Sequence, residues 1–293
     1  MPAALLDGKQ LAATMRADIA AQAAALKAAR GVTPGLGVIL IGADPASTSY
    51  VAAKGKACQE AGFHSRSIRL PAHATQADAL AHIADLNADP RVHGILVQLP
   101  LPQHIAEAAV INAIDPAKDV DGFTPANVGR MMIGEPCFLP CTPHGIIQML
   151  IRAGVETSGR HAVVIGRSNI VGKPIAHLLM RKAAGGNATV TVCHTATGDL
   201  AHFTRQADIL IVAAGRPGTV TGDMLKPGAA VIDVGVNRIP DASRPSGFRL
   251  VGDVDFDTAA QTASLITPVP GGVGPMTITM LLHNTLEAAR RTA

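Results

Sequence analysis

Residues 162–174 read AVVIGRSNIVGKP, an apolar run that passes through a glycine turn toward a proline. The four apolar residues at its start are typical of a short strand that is buried on both faces. We predict that the chain turns at Gly166 and that a helix begins near Pro174, because proline suits the first turn of a helix. Free N–H groups at such a helix start attract a pyrophosphate, so this segment is a candidate dinucleotide-binding turn.

The glycine pattern of this turn departs from the standard dinucleotide fingerprint. Ser168 replaces the second glycine, and the last glycine, Gly172, falls one residue late. Taken alone, the segment therefore has an alternative interpretation, which is a tight strand-to-helix connection that binds no ligand.

The end of the next predicted strand bears on the choice of dinucleotide. NAD-binding units usually carry an acidic residue there, which holds the ribose 2′-hydroxyl. Here the strand ends in Cys193, His194 and Thr195, without an acid, and Arg167 lies in the preceding turn. An arginine and a hydroxyl suit a 2′-phosphate, so the pattern favours NADP over NAD. The alternatives are an exposed cation for Arg167 and an ordinary strand-end histidine for His194.

The same alternation of strand and helix extends through most of the chain. Short apolar runs such as 36–41 (LGVILI) and 94–99 (GILVQL) alternate with Ala-rich stretches of helical spacing. This alternation predicts parallel α/β sheets. The proline-rich stretch at 100–143 predicts a largely loop-like region. We therefore predict two α/β units, joined near residues 140–150.

Composition and charge narrow the class of protein. The 293 residues are 48% hydrophobic and 16% charged, which predicts globular domains rather than a disordered chain. The net charge of +3 is small and scattered, so we expect no nucleic-acid surface, although it suits a small anionic ligand. No apolar run reaches the ~20 residues that cross a bilayer, and no secretory signal is visible, so we expect a cytoplasmic protein without a membrane partner. The four cysteines form no paired C-x-x-C sets, and we expect no metal site.

Two residues on the second predicted helix are candidates for chemistry. Tyr50 and Lys54 are four residues apart and therefore share one helix face. A tyrosine beside a lysine could stack on a flat ligand while the amine reaches the reacting atom. The alternative is a lysine whose stem covers a packed ring while its head stays in water.

Further polar candidates follow in the same half of the chain. Gln98 lies near the end of a very apolar strand, so its side chain is either hydrogen-bonded in the core or directed into a crevice at the strand end. Asp119 and Asp121 lie in the stretch KDVDGF. That stretch could bind a metal, but its spacing matches no standard calcium loop, and turn chemistry is the alternative.

Several sequence blocks, spread over nearly the whole chain, match one known family in the family's order. They are SYVAAKGKACQEAGF (49–63), GILVQLPLP (94–102), KDVDGFTPANVGR (118–130), PCTPHGI (140–146), GRSNIVGKP (166–174), VIDVGVNR (231–238), GDVDF (252–256) and TPVPGGVGPMT (267–277). On these blocks the chain resembles the bifunctional methylenetetrahydrofolate dehydrogenase/methenyltetrahydrofolate cyclohydrolases.

The resemblance implies a domain organisation. It implies two α/β domains with a cleft between them, the second of which is Rossmann-like. The catalytic, folate-binding domain would comprise residues 1–142 together with the C-terminal helix at 275–293. The NADP-binding domain would lie between them, at residues 143–274. A homodimer is also implied.

The resemblance also carries roles onto matching positions. Lys54 is implied as the catalytic lysine with Gln98 as its partner, while Tyr50 stacks on the folate. The implied catalytic residues are Lys54, Gln98, Asp121 and Tyr50. The implied substrate-binding residues are Tyr50, Val97, Leu99, Asp121, Pro270, Gly271 and Gly272. The implied NADP-binding residues are Gly166, Arg167, Ser168, Thr195 and Val236.

Two reactions on a tetrahydrofolate substrate are implied in turn. In the first, 5,10-methylenetetrahydrofolate gives a hydride to NADP and becomes 5,10-methenyltetrahydrofolate. In the second, water adds to the methenyl carbon and one C–N bond opens to give 10-formyltetrahydrofolate. Proton transfer in the second step suits a lysine with a lowered pKa. These reactions belong to one-carbon metabolism, which supplies purine, methionine and histidine biosynthesis.

The chain departs from the family pattern after the second strand of the dinucleotide unit. The family often has Ser and then a basic residue there, whereas this chain has Thr195 and Ala196. The hydroxyl is kept and the cation is absent, so NAD stays an alternative cofactor. Two alternative functions for the chain are a dehydrogenase without cyclohydrolase activity and a catalytically silent NADP-binding sensor or scaffold. The joint presence of Lys54, Gln98 and Asp121 argues against the silent protein, and Lys54 argues against the dehydrogenase alone.

Overall fold

The computed structural model of the chain describes residues 2–244 and 247–292, which form alternating strands and helices. The strands are β1 (Ala4–Leu5), β2 (Gly35–Ile41), β3 (His64–Leu70), β4 (Gly94–Val97), β5 (His161–Ile165), β6 (Thr189–Cys193), β7 (Ile209–Val212), β8 (Ala230–Asp233), β9 (Asn237–Pro240), β10 (Phe248–Val251) and β11 (Leu265–Ile266). The helices are α1 (Gly8–Arg30), α2 (Pro45–Glu60), α3 (Gln76–Ala88), α4 (Glu107–Asn112), α5 (Pro125–Ile133), α6 (Cys141–Arg152), α7 (Gly172–Met180), α8 (Leu200–Thr204), α9 (Phe256–Ala259) and α10 (Val273–Thr292). The predicted α/β fold is confirmed. Within the described ranges, none of the helices has the length and apolar character that a membrane crossing needs.

The chain divides into two compact units. The first unit contains Ala13–Cys141 and the C-terminal residues from Ile278 onward, and the second contains Thr142–Thr277 and the N-terminal residues through Ala12. The N-terminal segment lies in the second unit because β1 pairs in parallel with β11. The predicted assignment of folate binding to 1–142 with 275–293, and of NADP binding to 143–274, stays a prediction.

The first unit is built on a three-stranded parallel sheet in the order β3-β2-β4. Every residue of β2 is buried, as its unbroken apolar sequence predicts for a central strand that is covered on both faces. Ile39 of β2 is in register with Val97 of β4, and the Gln98 N–H donates to the Ile39 carbonyl at 2.9 Å. The sheet therefore fixes the backbone of Gln98 at the carboxyl end of β4.

The second unit is built on a six-stranded parallel sheet in the order β1-β11-β8-β7-β5-β6. Ile165 at the end of β5 is in register with Cys193 of β6 and Val212 of β7. The strand order reverses at β5, since the chain first adds β6 on one side and then β7 on the other. In open α/β sheets, ligands bind outside the carboxyl ends of the strands at such a switch point. The dinucleotide turn follows β5 and lies at this point.

The proline-rich stretch at 100–143 is mostly loop, as predicted, but two of its helices were not predicted. It contains α4 and α5, and Pro125 is the first residue of α5. The Thr124 side chain caps this helix by accepting from the Asn127 N–H at 3.4 Å. Proline suits this position because its missing N–H would have had no intrahelical partner. Proline here begins a helix instead of excluding one.

The antiparallel pair β9 and β10 was not predicted either. Phe248 of β10 is in register with Pro240 of β9, and Val251 with Asn237. Strand β9 alternates between half-buried and exposed residues, and β10 contains no fully buried residue, so both lack the continuous apolar run that marked the buried strands. Their pairing is a local hairpin that follows β8, outside the parallel sheet.

Candidate functional site

Lys54 is buried on α2, with only 4% of its surface exposed. Its Nζ donates to Gln98 Oε1 at 2.9 Å and lies 4.6 Å from the centroid of the Tyr50 ring. The shared helix face predicted for Tyr50 and Lys54 is therefore present. A lysine head this deeply buried does not reach into water, which removes the alternative of a stem that merely covers a ring.

Burial changes the acid–base behaviour of Lys54. It lowers the pKa of the Lys54 ammonium from the ordinary value, while the negative charge of Asp121 works in the opposite direction. A lowered pKa brings the neutral amine closer to physiological pH, where it can accept a proton. Lys54 thus has the property that general-base chemistry requires.

Gln98 holds the Lys54 amine through a side-chain amide whose orientation is fixed. The Gln98 Nε2 donates to the Leu99 carbonyl at 2.7 Å, which leaves Oε1 to accept from Lys54. Val97, just before it, is buried in the hydrophobic core, and Leu99 is half-buried. Of the two interpretations of Gln98, the structure supports a hydrogen bond to a buried partner, and that partner is the candidate catalytic lysine.

Asp119 is a structural residue of the turn before α5. Its Oδ1 accepts from the backbone N–H groups of Gly122 and Phe123, at 3.0 and 3.2 Å, and its Oδ2 accepts from Thr124 at 2.8 Å. The Asn127 Nδ2 also donates to Oδ2, at 2.9 Å. These bonds occupy the carboxylate fully, so Asp119 performs the turn chemistry that was the alternative to metal binding.

Asp121 lies two residues after Asp119 and has a different environment. Burial raises the pKa of the Asp121 carboxyl, the charge of Lys54 lowers it, and the charge of Asp119 raises it again. The thiol of Cys141 also hydrogen-bonds the carboxylate, which favours the ionised form. Asp121 and Lys54 therefore influence each other's charge in the first unit, as two members of one site do.

Two supporting residues of this site were missed by reasoning from the sequence. Asn284 of α10 donates through Nδ2 to the carbonyl oxygens of Val120 and Leu139, at 2.8 and 3.0 Å. Cys141 is buried, and its Sγ donates to the Val120 carbonyl at 3.3 Å. A buried amide in the otherwise apolar face of α10 is the signal that could have identified Asn284.

The dinucleotide turn has the predicted glycine geometry at Gly166. This residue has a φ of 114°, and a Cβ on it would lie 2.3 Å from the Ala213 carbonyl oxygen. Only glycine permits that approach between the ends of β5 and β7. Arg167 and Ser168, which follow, are exposed at the carboxyl edge of the sheet.

The start of α7 differs from the prediction. The helix begins at Gly172, two residues before Pro174. Its first N–H groups are not free, because Ser168 Oγ accepts from Val171 and Gly172 at 3.1 and 3.3 Å. Ser168 therefore satisfies the first amide of α7. The candidate dinucleotide contacts are the exposed residues Arg167 and Ser168, and not free amides of the helix.

The remaining predicted dinucleotide residues follow other strands of the same sheet. Thr195 is exposed in the turn after β6, next to His194, whose N–H donates to Thr197 Oγ1 at 2.9 Å. Val236 follows β8 and is 63% exposed, which is unusual for a large apolar side chain. The parallel sheet thus brings the ends of β5, β6 and β8 to one edge.

The predicted folate loop at Pro270, Gly271 and Gly272 lies in the second unit, just before α10. The Gly271 carbonyl accepts from the Lys9 N–H at 3.0 Å, at the start of α1. The structure thus divides the predicted residues between the two units. The first unit contains Tyr50, Lys54, Val97, Gln98, Leu99 and Asp121, and the second contains Gly166, Arg167, Ser168, Thr195, Val236, Pro270, Gly271 and Gly272.

Comparison with known proteins assigns both parts of the chain to one family. Residues 6–121 match the catalytic domain of tetrahydrofolate dehydrogenase/cyclohydrolase, and residues 140–293 match the NAD(P)-binding domain of the same family. These two matches together span most of the sequence.

Full-length relatives and solved structures agree with this assignment. The bifunctional protein FolD of Prosthecochloris aestuarii is 58% identical over 98% of this chain and 98% of its own length. The crystal structure of the bifunctional FolD of Campylobacter jejuni has 48% identity and a TM-score of 0.93, with 99% of each chain covered. The Trypanosoma brucei FolD, solved with NADP cofactor and an inhibitor, has 43% identity and a TM-score of 0.95 over 99% of this chain and 98% of that one. The chain belongs to the tetrahydrofolate dehydrogenase/cyclohydrolase family.

Proposed function

We propose that this protein oxidises 5,10-methylenetetrahydrofolate to 5,10-methenyltetrahydrofolate with NADP and hydrolyses the methenyl compound to 10-formyltetrahydrofolate. Family membership and the names of full-length relatives support both activities. The observation that carries the proposal is the buried Lys54, which is hydrogen-bonded to Gln98 beside the Tyr50 ring and is coupled to Asp121.

Folate recognition is proposed for the first unit. The Asp121 carboxylate can accept parallel hydrogen bonds from the pterin amino group and the adjacent ring N–H. The Tyr50 ring, which is half-buried beside Lys54, offers a flat surface for stacking on the folate. Pro270, Gly271 and Gly272 are proposed as further folate contacts because they match the family's folate loop.

NADP binding is proposed for the second unit. Gly166 allows the turn after β5 to pack closely against Ala213 at the switch point, and no acid at the end of β6 opposes a 2′-phosphate. Gly166, Arg167, Ser168, Thr195 and Val236 would hold NADP there, and the Trypanosoma brucei relative is known with that cofactor. When bound, NADP accepts the hydride that the methylene carbon gives up.

Hydrolysis of the methenyl compound is proposed to depend on Lys54. The neutral amine takes a proton from the water that attacks the methenyl carbon, and Gln98 keeps the amine oriented. One C–N bond then opens and leaves the formyl group on N10. Of the two protons of the water, one ends on N5 and the other passes to solvent. The lowered pKa of Lys54 lets it accept and return a proton in this sequence.

A homodimer in the cytoplasm is proposed as the working form, and its product would serve purine, methionine and histidine biosynthesis. The family resemblance supports these points. For the dimer, the second unit also exposes apolar residues on neighbouring elements, namely Ile151 of α6, Met180 of α7 and Val192 of the edge strand β6. Exposed apolar residues beside an edge strand favour association with another chain. Light scattering of the purified protein should give twice the mass of one chain, and a monomer at working concentration would refute the dimer.

Spectrophotometry of the wild-type protein tests the function itself. With 5,10-methylenetetrahydrofolate and NADP, NADPH should accumulate while the methenyl compound stays below the level set by its uncatalysed decay. A rise of NADPH together with methenyl that decays at the uncatalysed rate would indicate a dehydrogenase alone. The absence of both activities would refute the proposal, and replacement of NADP by NAD in the same assay tests the cofactor.

A further inference from the structure

Two carboxylates of the second unit are buried although no step of the proposed chemistry uses them. Asp233 ends β8 with 4% of its surface exposed, and Asp253 follows β10 with 0% exposed. Among the described residues, neither carboxylate forms an ion pair with a lysine, arginine or histidine. A buried acid without a cation has to be stabilised by hydrogen bonds, so its donors show what it holds in place.

Asp253 holds the loop that follows β7. Its Oδ2 accepts from the backbone N–H groups of Ala214 and Gly215, at 2.7 and 2.8 Å. Its Oδ1 accepts from the side-chain amide of Asn237 at 2.8 Å, at the start of β9. The loop after β7 and the segment after β8 are therefore tied to one carboxylate.

Asp233 holds the segment after β8 and the backbone of Asp253 itself. Its Oδ1 accepts from the N–H groups of Gly235 and Asp253, at 2.9 and 3.0 Å, and its Oδ2 accepts from Val254 at 2.9 Å. Val236 consequently has a neighbour bound to Asp233 on one side and a neighbour bound to Asp253 on the other. This exposed residue is a proposed contact of NADP.

Two glycines make room for the carboxylates. A Cβ on Gly252 would lie 1.8 Å from Asp233 Oδ2, and a Cβ on Gly235 would lie 2.3 Å from the Asp253 carboxyl carbon. Neither position tolerates a side chain while the carboxylate stays in place. The blocks VIDVGVNR and GDVDF are therefore explained by one packing arrangement, in which each acid lies against a glycine of the other block.

We propose that Asp253 is a positioning residue for NADP, because its carboxylate fixes the loop 213–215 and the segment 235–237 at the carboxyl edge of the sheet. The proposal rests on the function proposed above. Ala213 is packed on Gly166 of the dinucleotide turn, so a shift of the 213–215 loop would also displace that turn. Asp253 touches none of the reacting atoms and acts through the backbone that NADP contacts. Asp233 supports the same segment through its hydrogen bonds with the N–H groups of Gly235 and Asp253.

The isosteric variant Asp253→Asn tests the proposal. An asparagine replaces one carboxylate oxygen by an N–H₂ group, which cannot accept a hydrogen bond. Either the Ala214 and Gly215 N–H groups or the Asn237 amide would therefore lose its acceptor. We expect the Kd and the KM for NADP to rise about tenfold or more, the size of effect expected when a positioning group is lost. Methenyl hydrolysis requires no dinucleotide, so its kcat and its KM should stay at wild-type values.

Asn237→Ala and Glu156→Gln complete the experiment. Asn237→Ala removes one donor to Asp253 without placing an amide in the buried site, and it should weaken NADP binding in the same direction. Glu156→Gln removes a carboxylate from an exposed pair with Arg160, at 3.0 Å, in the same unit, and should leave both activities unchanged.

Each outcome decides the matter. Unchanged NADP affinity in Asn237→Ala, or in a folded Asp253→Asn, would overturn the proposal, as would an equal loss of both activities, since that marks a general structural role. If the Asp253→Asn chain does not fold, the Asn237→Ala result decides. If the wild-type protein itself neither binds NADP nor hydrolyses the methenyl compound, it is the proposed function that fails. A failure of the Asp253 proposal is recognised instead by a wild-type protein that has both properties and variants that keep their NADP affinity.

Discussion

At the scale of single residues, the site depends on how burial adjusts charge. Lys54 and Asp121 are both driven toward their neutral forms by burial, while each favours the charged form of the other. Hydrolysis requires a base whose neutral form is made more accessible, and pterin binding requires a carboxylate that can still ionise.

The rate of methenyl hydrolysis should depend on pH through Lys54. Because the pKa of Lys54 is lowered and the neutral amine is the active form, activity should rise with pH and level off at a lower pH than an ordinary lysine would give. The measurement is the initial rate of hydrolysis without NADP, corrected for the uncatalysed reaction at each pH. A corrected rate that does not change with pH, or that falls as pH rises, would contradict this assignment.

Asp121→Ala should weaken folate binding. The pterin amino group and ring N–H would lose their acceptor, and unpaired polar groups in a buried site cost about 1–3 kcal/mol, or roughly tenfold or more in affinity. The KM for 5,10-methylenetetrahydrofolate should rise while the Kd for NADP does not. Asp85→Ala, which removes an exposed acid of α3, is the control, and an unchanged folate affinity in Asp121→Ala would refute the role.

At the scale of elements, helix α10 supports the site from outside it. Asn284 links α10 to the carbonyl groups of Val120 and Leu139, and so holds the residue next to Asp121. A helix at the end of the chain thereby positions a loop that lies more than a hundred residues earlier, which no local pattern in either segment predicts.

Asn284→Ala should lower both stability and folate affinity. The Leu139 carbonyl loses its donor and the Val120 carbonyl keeps only the weak Cys141 thiol, so the free energy of unfolding should fall by about 1–3 kcal/mol. Denaturant unfolding and the KM for the folate substrate measure the two effects. Asn112→Ala, at an exposed position of α4, is the control, and a variant with wild-type folate KM and stability would show that α10 does not hold the Asp121 loop.

How much could be predicted from the sequence also differs by element. The strands β2 and β5 were predicted because a continuous apolar run between glycines is a strong local signal for burial on both faces. Helix α5 was missed because Pro125 was counted as a breaker, although its position after Thr124 makes it a helix start. The residue pattern alone did not distinguish Asp119 from Asp121, and only the family resemblance selected Asp121. The fold shows that Asp119 accepts from the turn amides, while the charge of Lys54 acts on Asp121.

At the scale of the whole molecule, both proposed activities need bound folate, but only the dehydrogenase needs the NADP-binding residues. The residues proposed for proton transfer lie in the first unit, and those proposed for NADP lie in the second. The two activities should therefore be separable by substitutions that act on one unit only.

Gly166→Ala should abolish the dehydrogenase and spare the hydrolysis. The alanine would need a φ of 114° and a Cβ at 2.3 Å from the Ala213 carbonyl oxygen, so the turn has to rearrange. We expect the Kd for NADP to rise more than about tenfold, with methenyl hydrolysis at the wild-type rate. Gly198→Ala, where an added Cβ meets no atom within 4 Å, is the matched control. Loss of hydrolysis in a folded Gly166→Ala protein would show that the activities are not separable.

Lys54→Met tests the central claim most directly, because it keeps the length of the side chain and removes only the amine. We predict that methenyl hydrolysis falls to the uncatalysed rate while the Kd for NADP stays within about twofold of wild type. Lys56→Met is the control on the same helix, since Lys56 is exposed and only forms a surface pair with Glu60 at 3.8 Å. Hydrolysis that persists in Lys54→Met would contradict the role of the amine, and an equal loss of hydrolysis and NADP affinity would show that Lys54 is structural.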